Sequence, residues 1–184
     1  MKEKEESKTE KKDTKKEILS WVITIGVAVV IALLIDSFII VNASIPSGSM
    51  ENTIMTGDRV MGFRLYYLFA DPKRGDIIVF EYPDDESKLF IKRIIGEPGD
   101  KVEIKEGKVY INDSDVPLDE PYLKDSSDTR SFGPYQVPED CYFVMGDNRI
   151  LSGDARFWTN TYVRRDQIKG KALFRYWKGF KWLG

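Results

Sequence analysis

Three short segments hold residue types whose spacing could do chemistry. In Ile45-Pro46-Ser47-Gly48-Ser49-Met50 a serine follows glycine. That lets the backbone turn sharply and present a hydroxyl, as a nucleophile requires. The chain contains 0 His, so neither a Ser-His-Asp nor a Cys-His arrangement is possible. Any general base must be a carboxylate, a Lys, a Tyr or a water. The second segment, Phe90-Ile91-Lys92-Arg93-Ile94-Ile95, supplies a candidate. On a strand, Lys92 shares a face with Phe90 and Ile94, and Arg93 shares one with Ile91 and Ile95. A lysine desolvated among such neighbours loses its preference for the charged form and becomes a base near neutral pH. In the third segment, Gly146 to Arg156, Asp and Arg alternate around Gly, which reads as a buried turn stapled by charge-assisted hydrogen bonds. Each segment also has a plain structural reading: a small-residue linker, a lysine that snorkels or pairs with an acid, a structural turn.

The elements that must position these residues can be read around them. Residues 1–17 carry 7 Lys against 6 acids, a composition that buries no core and either stays disordered or extends the following helix. Ile18 to Ile35 then runs without a charge. As a helix it spans about 27 Å, close to the hydrocarbon thickness of a bilayer. Phe38-Ile39-Ile40-Val41 prolongs the apolar character, so 18–41 is expected to be a transmembrane anchor. It exceeds the usual apolar stretch of a cleavable leader, although Val41-Asn42-Ala43 resembles a small-residue cleavage site. All the tail lysines precede the anchor and the next cation is Arg59. The positive-inside rule therefore places 1–17 in the cytoplasm and 42–184 outside, in a single pass of the cell membrane.

Past the anchor the pattern shortens to strands. Gly75–Tyr82, Lys88–Ile95, Cys141–Met145 and Ala172–Trp177 are apolar runs of strand length, and Val102-x-Ile104 and Val109-x-Ile111 flank Glu106-Gly107 as a hairpin. Asp113 to Pro138 is polar and reads as a loop-rich excursion. The expected architecture is one transmembrane helix followed by a single, mainly β, antiparallel domain. Net charge is −2, with no electrostatic case for nucleic-acid binding. Cys141 is the 1 cysteine of the chain and is expected to pack as a small hydrophobe.

Anchor, Pro-Ser-Gly-Ser-Met, Phe-Ile-Lys-Arg and Gly-Asp-Asn-Arg with Ser152-x-Asp154-x-Arg156 occur in the order seen in bacterial type I signal peptidases. The chain resembles their short, single-anchor Gram-positive form over most of residues 18–177. Gly57-Asp58, Lys73 to Phe80, Gly96 to Asp100 and Gly170-Lys171-Ala172 extend the resemblance. It implies a domain of coiled antiparallel β-sheets and a serine endopeptidase that removes signal peptides from exported preproteins. Ser49 matches the nucleophile and Lys92 the general base. Ser47 matches the hydroxyl that forms the oxyanion hole with the Ser49 N–H, and Ser152 the hydroxyl that orients the base. Arg93, Asp147, Asp154 and Arg156 match polar residues that hold the site. Ile45, Met50, Ile54, Phe90 and Ile91 fall where the family lines its pockets for small side chains. No metal, cofactor or partner subunit is implied; the partners are preprotein and lipid bilayer.

The sequence departs from the family at Asn52, where Pro is common, at Ile150-Leu151, usually polar, and at Phe157–Val163, which lengthens the segment after Arg156. These bear on packing near Ser152 and leave Ser49 and Lys92 untouched. Two other readings stay open: an anchored β-domain that has lost activity and binds partners, and a self-cleaving repressor with a Ser-Lys dyad. The anchor and the charge argue against the second.

Overall fold

The computed structural model describes residues 2–124, 128–177 and 179–184. The chain forms two units, one ending at Ile39 and the other running from Ile40 to Gly184. The first is α1, Lys2–Phe38, a helix of 37 residues. Its part Lys16–Phe38, 23 residues, is long and apolar enough to cross a membrane. No Gly or Pro interrupts the sequence before Gly26, and Lys and Glu are good helix formers. The charged tail accordingly extends the helix. The apolar run from Phe38 to Val41 does not continue it: β1, Ile40–Ser44, has already begun, and Val41 is 2% exposed in the β-domain. The β-branched Ile39-Ile40-Val41 is as good a strand as a membrane segment, so the domain boundary falls at 39/40 and not after 41.

The second unit is mainly β and antiparallel throughout. Its further strands are β2 (Arg59–Phe63), β3 (Ile77–Tyr82), β4 (Asp85–Gly96), β5 (Lys101–Lys105), β6 (Lys108–Ile111), β7 (Phe132–Gln136), β8 (Cys141–Met145), β9 (Val163–Arg164), β10 (Ile168–Arg175) and β11 (Lys181–Trp182); a short helix, α2, spans Tyr66–Phe69. The larger sheet is 8-stranded with the order β1-β2-β10-β3-β4-β8-β9, and β11 pairs with β10; the smaller is 3-stranded, β6-β5-β7.

β3 lies inside the larger sheet with both faces covered. Ile78 and Phe80 enter one apolar cluster with Ile94, Val102, Phe143 and Val144. Ile77 and Val79 enter another with Val41, Ile45, Met50, Ile54 and Ile91. That double burial is why its sequence is a continuous apolar run and not an alternation. β4 is the longest strand, and Gly96 at its end lets the two sheets meet. A side chain there would lie 2.6 Å from Val102 and 2.9 Å from Val137.

Several elements escape the sequence patterns. β7 sits inside the expected 113–138 loop, because Pro134 argues against a strand except at an edge, and β7 is an edge. β1 and β2 carry Asn42, Arg59 and Gly62 and do not alternate cleanly. β9 and β11 have 2 residues each, too few for a period. Cys141 is half-buried and not a core residue.

The 106–107 hairpin has both central residues at positive φ, 49° and 78°, the geometry of a type I′ turn. A Cβ at Gly107 would fall 1.5 Å from the Asp128 carbonyl oxygen. Gly107→Ala should therefore cost about 2 kcal/mol or more by strain and overpacking together. Denaturant unfolding of the two proteins checks it.

Candidate active site

The nucleophile candidate sits on a tight turn. Gly48–Met50 form a 3₁₀ turn just after β1, and Ser49 is buried on it. The turn is gripped from one side by Asn148, whose N–H donates to the Ser49 carbonyl (3.0 Å) and whose Nδ2 donates to the Gly48 carbonyl (3.1 Å). On the other side Asp58 closes the loop, accepting from the Met55 N–H at 2.8 Å and from Arg175 Nη1 at 2.9 Å.

Lys92 reaches this turn from β4. Its Nζ lies 2.7 Å from Ser49 Oγ and donates to the Ile91 carbonyl at 3.1 Å. The Phe90 ring is 5.6 Å from the same nitrogen. The side chain is 4% exposed. Burial pushes its pKa down from 10.5 to about 8, against the opposing pull of Asp154 and Asp147. Those two carboxylates are tied to arginines. Asp147 takes both branches of Arg93, Nε at 2.8 Å and Nη2 at 2.6 Å, and accepts from Thr53 Oγ1 at 2.5 Å. Asp154 takes Nε and Nη2 of Arg156 at 2.8 and 3.0 Å and the Gly146 N–H at 3.0 Å.

The other sequence candidates divide. Ser47 Oγ lies 3.4 Å from Ser49 Oγ, on the exposed side of the turn. Ser152 is buried on the inner side, but its Oγ has no hydrogen-bond partner and makes no bond to Lys92. It packs against Gly146, where a Cβ would meet Ser152 Oγ at 2.3 Å and the Ser49 carbonyl at 2.4 Å. The expected hydrogen bond that orients the base is thus not made here; the lysine is oriented by Ser49 and the Ile91 carbonyl.

A cleft of about 250 Å³ opens onto the Ser49–Lys92 pair. Residues 43–47 form one wall and 89–92 the other, with Leu151 and Gly153 at the side. Ile45, Phe90 and Ile91 line it. Met50 and Ile54 do not. Both are 0% exposed and pack beneath the wall in the cluster with Val41 and Val79, because the 3₁₀ turn directs Met50 inward. The walls are strand edges: β1 ends its sheet, and β4 pairs with β8 only from Arg93 onward, beyond the lining residues.

Several site residues carried no sequence signal. Thr53 meets Asp147 across 94 positions, and Tyr122 lies 3.8 Å under the Arg93 guanidinium. Glu120, bonded by Tyr122 Oη at 2.7 Å, pairs with Arg149, which in turn donates to the Gly146 carbonyl at 3.1 Å. Glu120 and Tyr122 lie in the polar 113–138 stretch. Asn148 and Leu151, by contrast, are inside the Gly146–Arg156 motif. Among the described residues no group of three or more His, Cys, Asp or Glu could hold a metal ion.

A serine hydroxyl against a dry lysine, at the end of a cleft between strand edges, is the arrangement of a serine hydrolase that works without histidine. The family model of signal peptidase, peptidase S26, matches residues 18–177. Signal peptidase I S of Bacillus subtilis (strain 168) is 40% identical over 177 residues, covering 91% of this chain and 93% of that protein. Probable signal peptidase I-2 of Synechocystis is 41% identical over 160 residues, with coverage of 84% and 71%. Signal peptidase IB of Staphylococcus aureus (strain COL) is 36% identical over 180 residues, with coverage of 89% and 91%. The chain belongs to the signal peptidase family, peptidase S26, and is a serine endopeptidase of that family.

The dry lysine has two measurable consequences. On a general-base role for Lys92, Lys92→Arg, which keeps charge and approximate size but cannot become neutral, should lower cleavage by ~10²–10⁴-fold or more while the fold persists. In wild type the rate should rise with pH, with a midpoint near the Lys92 pKa of about 8. Between that value and 10.5, unfolded Lys92 keeps a proton that folded Lys92 has released, so stability should increase with pH across this window. The gain is on the order of 3 kcal/mol, and Lys92→Met should remove it. Chemical denaturation of both proteins at pH 8 and pH 10.5 measures the difference.

Proposed function

We propose that Ser49 and Lys92 are the catalytic dyad of a membrane-bound enzyme that removes signal peptides from exported preproteins. The observation that carries this reading is the 2.7 Å contact between Ser49 Oγ and Lys92 Nζ at the end of the cleft. Neutral Lys92 accepts the Ser49 proton as Oγ attacks the scissile carbonyl carbon, giving a tetrahedral oxyanion. The Ser49 N–H and the Ser47 hydroxyl are the donors to that oxygen; one such donor is worth ~2.7–4 kcal/mol. The Lys92 ammonium then protonates the leaving amine, the C–N bond breaks and an ester to Ser49 remains. A water, deprotonated by Lys92, attacks the ester; the acid is released and the proton returns to Ser49.

Arg93, Asp147, Asp154 and Arg156 hold this geometry and touch no reacting atom. An extended substrate fits as a strand between the free edges of β1 and residues 89–92 of β4, pairing its backbone with either wall. The reaction needs no cofactor and no second subunit.

The lysine-rich tail and the Lys16–Phe38 span support a single-pass anchor with a cytoplasmic N-terminus and the β-domain outside. The aromatic end of the chain supports contact of the β-domain with lipid: Trp177, Phe180 and Trp182 are exposed, Phe174 stacks on Trp182 at 6.4 Å, and Arg59 covers Trp177 at 5.6 Å.

Full-length protein in detergent should cleave a synthetic preprotein into two products on a gel, and Ser49→Ala should not. Equal cleavage by Ser49→Ala would end the dyad reading. Protease added to intact spheroplasts should leave the N-terminal tail undigested; an accessible tail would reverse the orientation. In vesicles of brominated lipid, a variant whose sole Trp is Trp182 should be quenched, and unchanged emission would remove the lipid contact.

A further inference from the structure

The segment after Arg156, residues 157–163, does not hang free. Asp84, in the turn between β3 and β4, accepts the Thr159 N–H at 2.9 Å and the Asn160 N–H at 2.7 Å; Asn160 Nδ2 donates to the Pro83 carbonyl at 3.1 Å. This fastening delivers one large side chain to a fixed place. Trp158, half-buried, lies edge-on to Tyr82 (centroids 5.2 Å, 68°) and to Phe90 (6.1 Å, 63°), and also meets Phe80 at 6.0 Å. Tyr82 itself stacks flat on Phe90, at 4.4 Å and 5°. Its hydroxyl donates to Asp84 at 3.0 Å, so one carboxylate anchors both partners of Phe90.

Phe90 lines the catalytic cleft and stands two residues before Lys92 on the same face of β4. In an extended peptide laid along this edge, alternate side chains share a face. If the attacked carbonyl lies at Ser49 and Lys92, the substrate side chain that meets Phe90 is two residues away from the residue bearing that carbonyl. A free phenylalanine could change rotamer to admit a bulky group. This one is held by two rings packed against it, in a site where aromatic pairs add specific geometry to area burial.

We propose that Trp158 and Tyr82 form an aromatic bracket behind Phe90 that sets the size of the substrate side chain accepted two residues from the scissile one. The proposal rests on the dyad reading above and adds a specificity determinant to it. Neither Trp158 nor Tyr82 touches Ser49 or Lys92; they act through Phe90 and are positioning residues. Removing the Trp158 indole gives Phe90 room to retreat and enlarges the cleft at that point only.

The test uses full-length protein in detergent and peptide substrates that carry Ala, Val or Leu at the residue of the scissile carbonyl and at the residues two away on either side. Wild type and an inactive Ser49→Ala control first establish cleavage by the dyad, so failure of that reading shows as loss of cleavage or of its dependence on Ser49. Trp158→Ala should then raise the Leu-to-Ala ratio of kcat/KM about tenfold at one of the two flanking positions, the scale of discrimination by methylene-sized differences. At the scissile residue the ratio should not move, and kcat on the all-Ala peptide should stay close to wild type. Trp158→Phe should restore the wild-type ratio. Asp84→Ala keeps every ring and removes only their anchor; it should shift the ratio in the same direction and decides the matter if Trp158→Ala does not fold. An unchanged ratio in the folded variants, or an equal loss on all substrates, overturns the proposal.

Discussion

A lysine that serves as a base must be kept dry without being given a partner that restores its charge. Nearly everything around Lys92 answers to that constraint. Desolvation alone favours the neutral amine, yet two carboxylates, Asp147 and Asp154, lie close enough to oppose it. Each is engaged by the fork of an arginine, Arg93 and Arg156, in bidentate contacts of 2.6 to 3.0 Å. Their negative charge is thereby committed, and Nζ is left facing the Ser49 hydroxyl and one backbone carbonyl.

The same fastenings assemble the site. Asp147 bonds Thr53 of the loop after Ser49 and Arg93 of the Lys92 strand at once, so one side chain fixes the distance between the two segments. Asn148, the next residue, holds the Ser49 turn by its backbone carbonyls. Gly146 has no side chain because none fits between Ser152 and Ser49. Removing one member of such a buried network leaves its partner charged and unpaired, which typically costs 3–5 kcal/mol. A motif that reads as a stapled turn is at the same time the clamp that positions Ser49. Leu151, within the same motif, stands at the side of the cleft, and Trp158, just after it, packs against Phe90 of the cleft wall.

Two expected side-chain placements are not the ones seen, for related reasons. Met50 and Ile54 have the right chemistry for a substrate pocket, but a 3₁₀ turn and the loop after it point both into the core. Ser152 is buried beside Gly146, next to the Ser49 turn, and its oxygen is left without a partner. In each case residue type and approximate location were legible in the sequence, whereas side-chain direction was not, because direction depends on the local backbone and on what packs behind it.

The sequence by itself determined the apolar helix, the antiparallel β class, the Glu106-Gly107 hairpin, the core strands β3, β4 and β8, and the candidates Ser49 and Lys92. Those features rest on local periodicity, on glycine in a left-handed turn, on a composition without histidine and, for Ser49 and Lys92, on short motifs resembling those of a known family, all readable without any distant contact. Only the tertiary structure decided what depends on distant partners. It moved the domain boundary to Ile40, since Ile39-Ile40-Val41 suits a membrane or a strand equally well and only pairing with β2 distinguishes them. It found β7 in a proline-containing polar stretch, because an edge strand tolerates proline. It brought Thr53, Glu120, Tyr122 and Trp158 to the site across gaps that no spacing rule spans. Burial of the Lys92 amine belongs to this second group as well: the sequence places apolar residues beside it, but desolvation is a property of the closed fold.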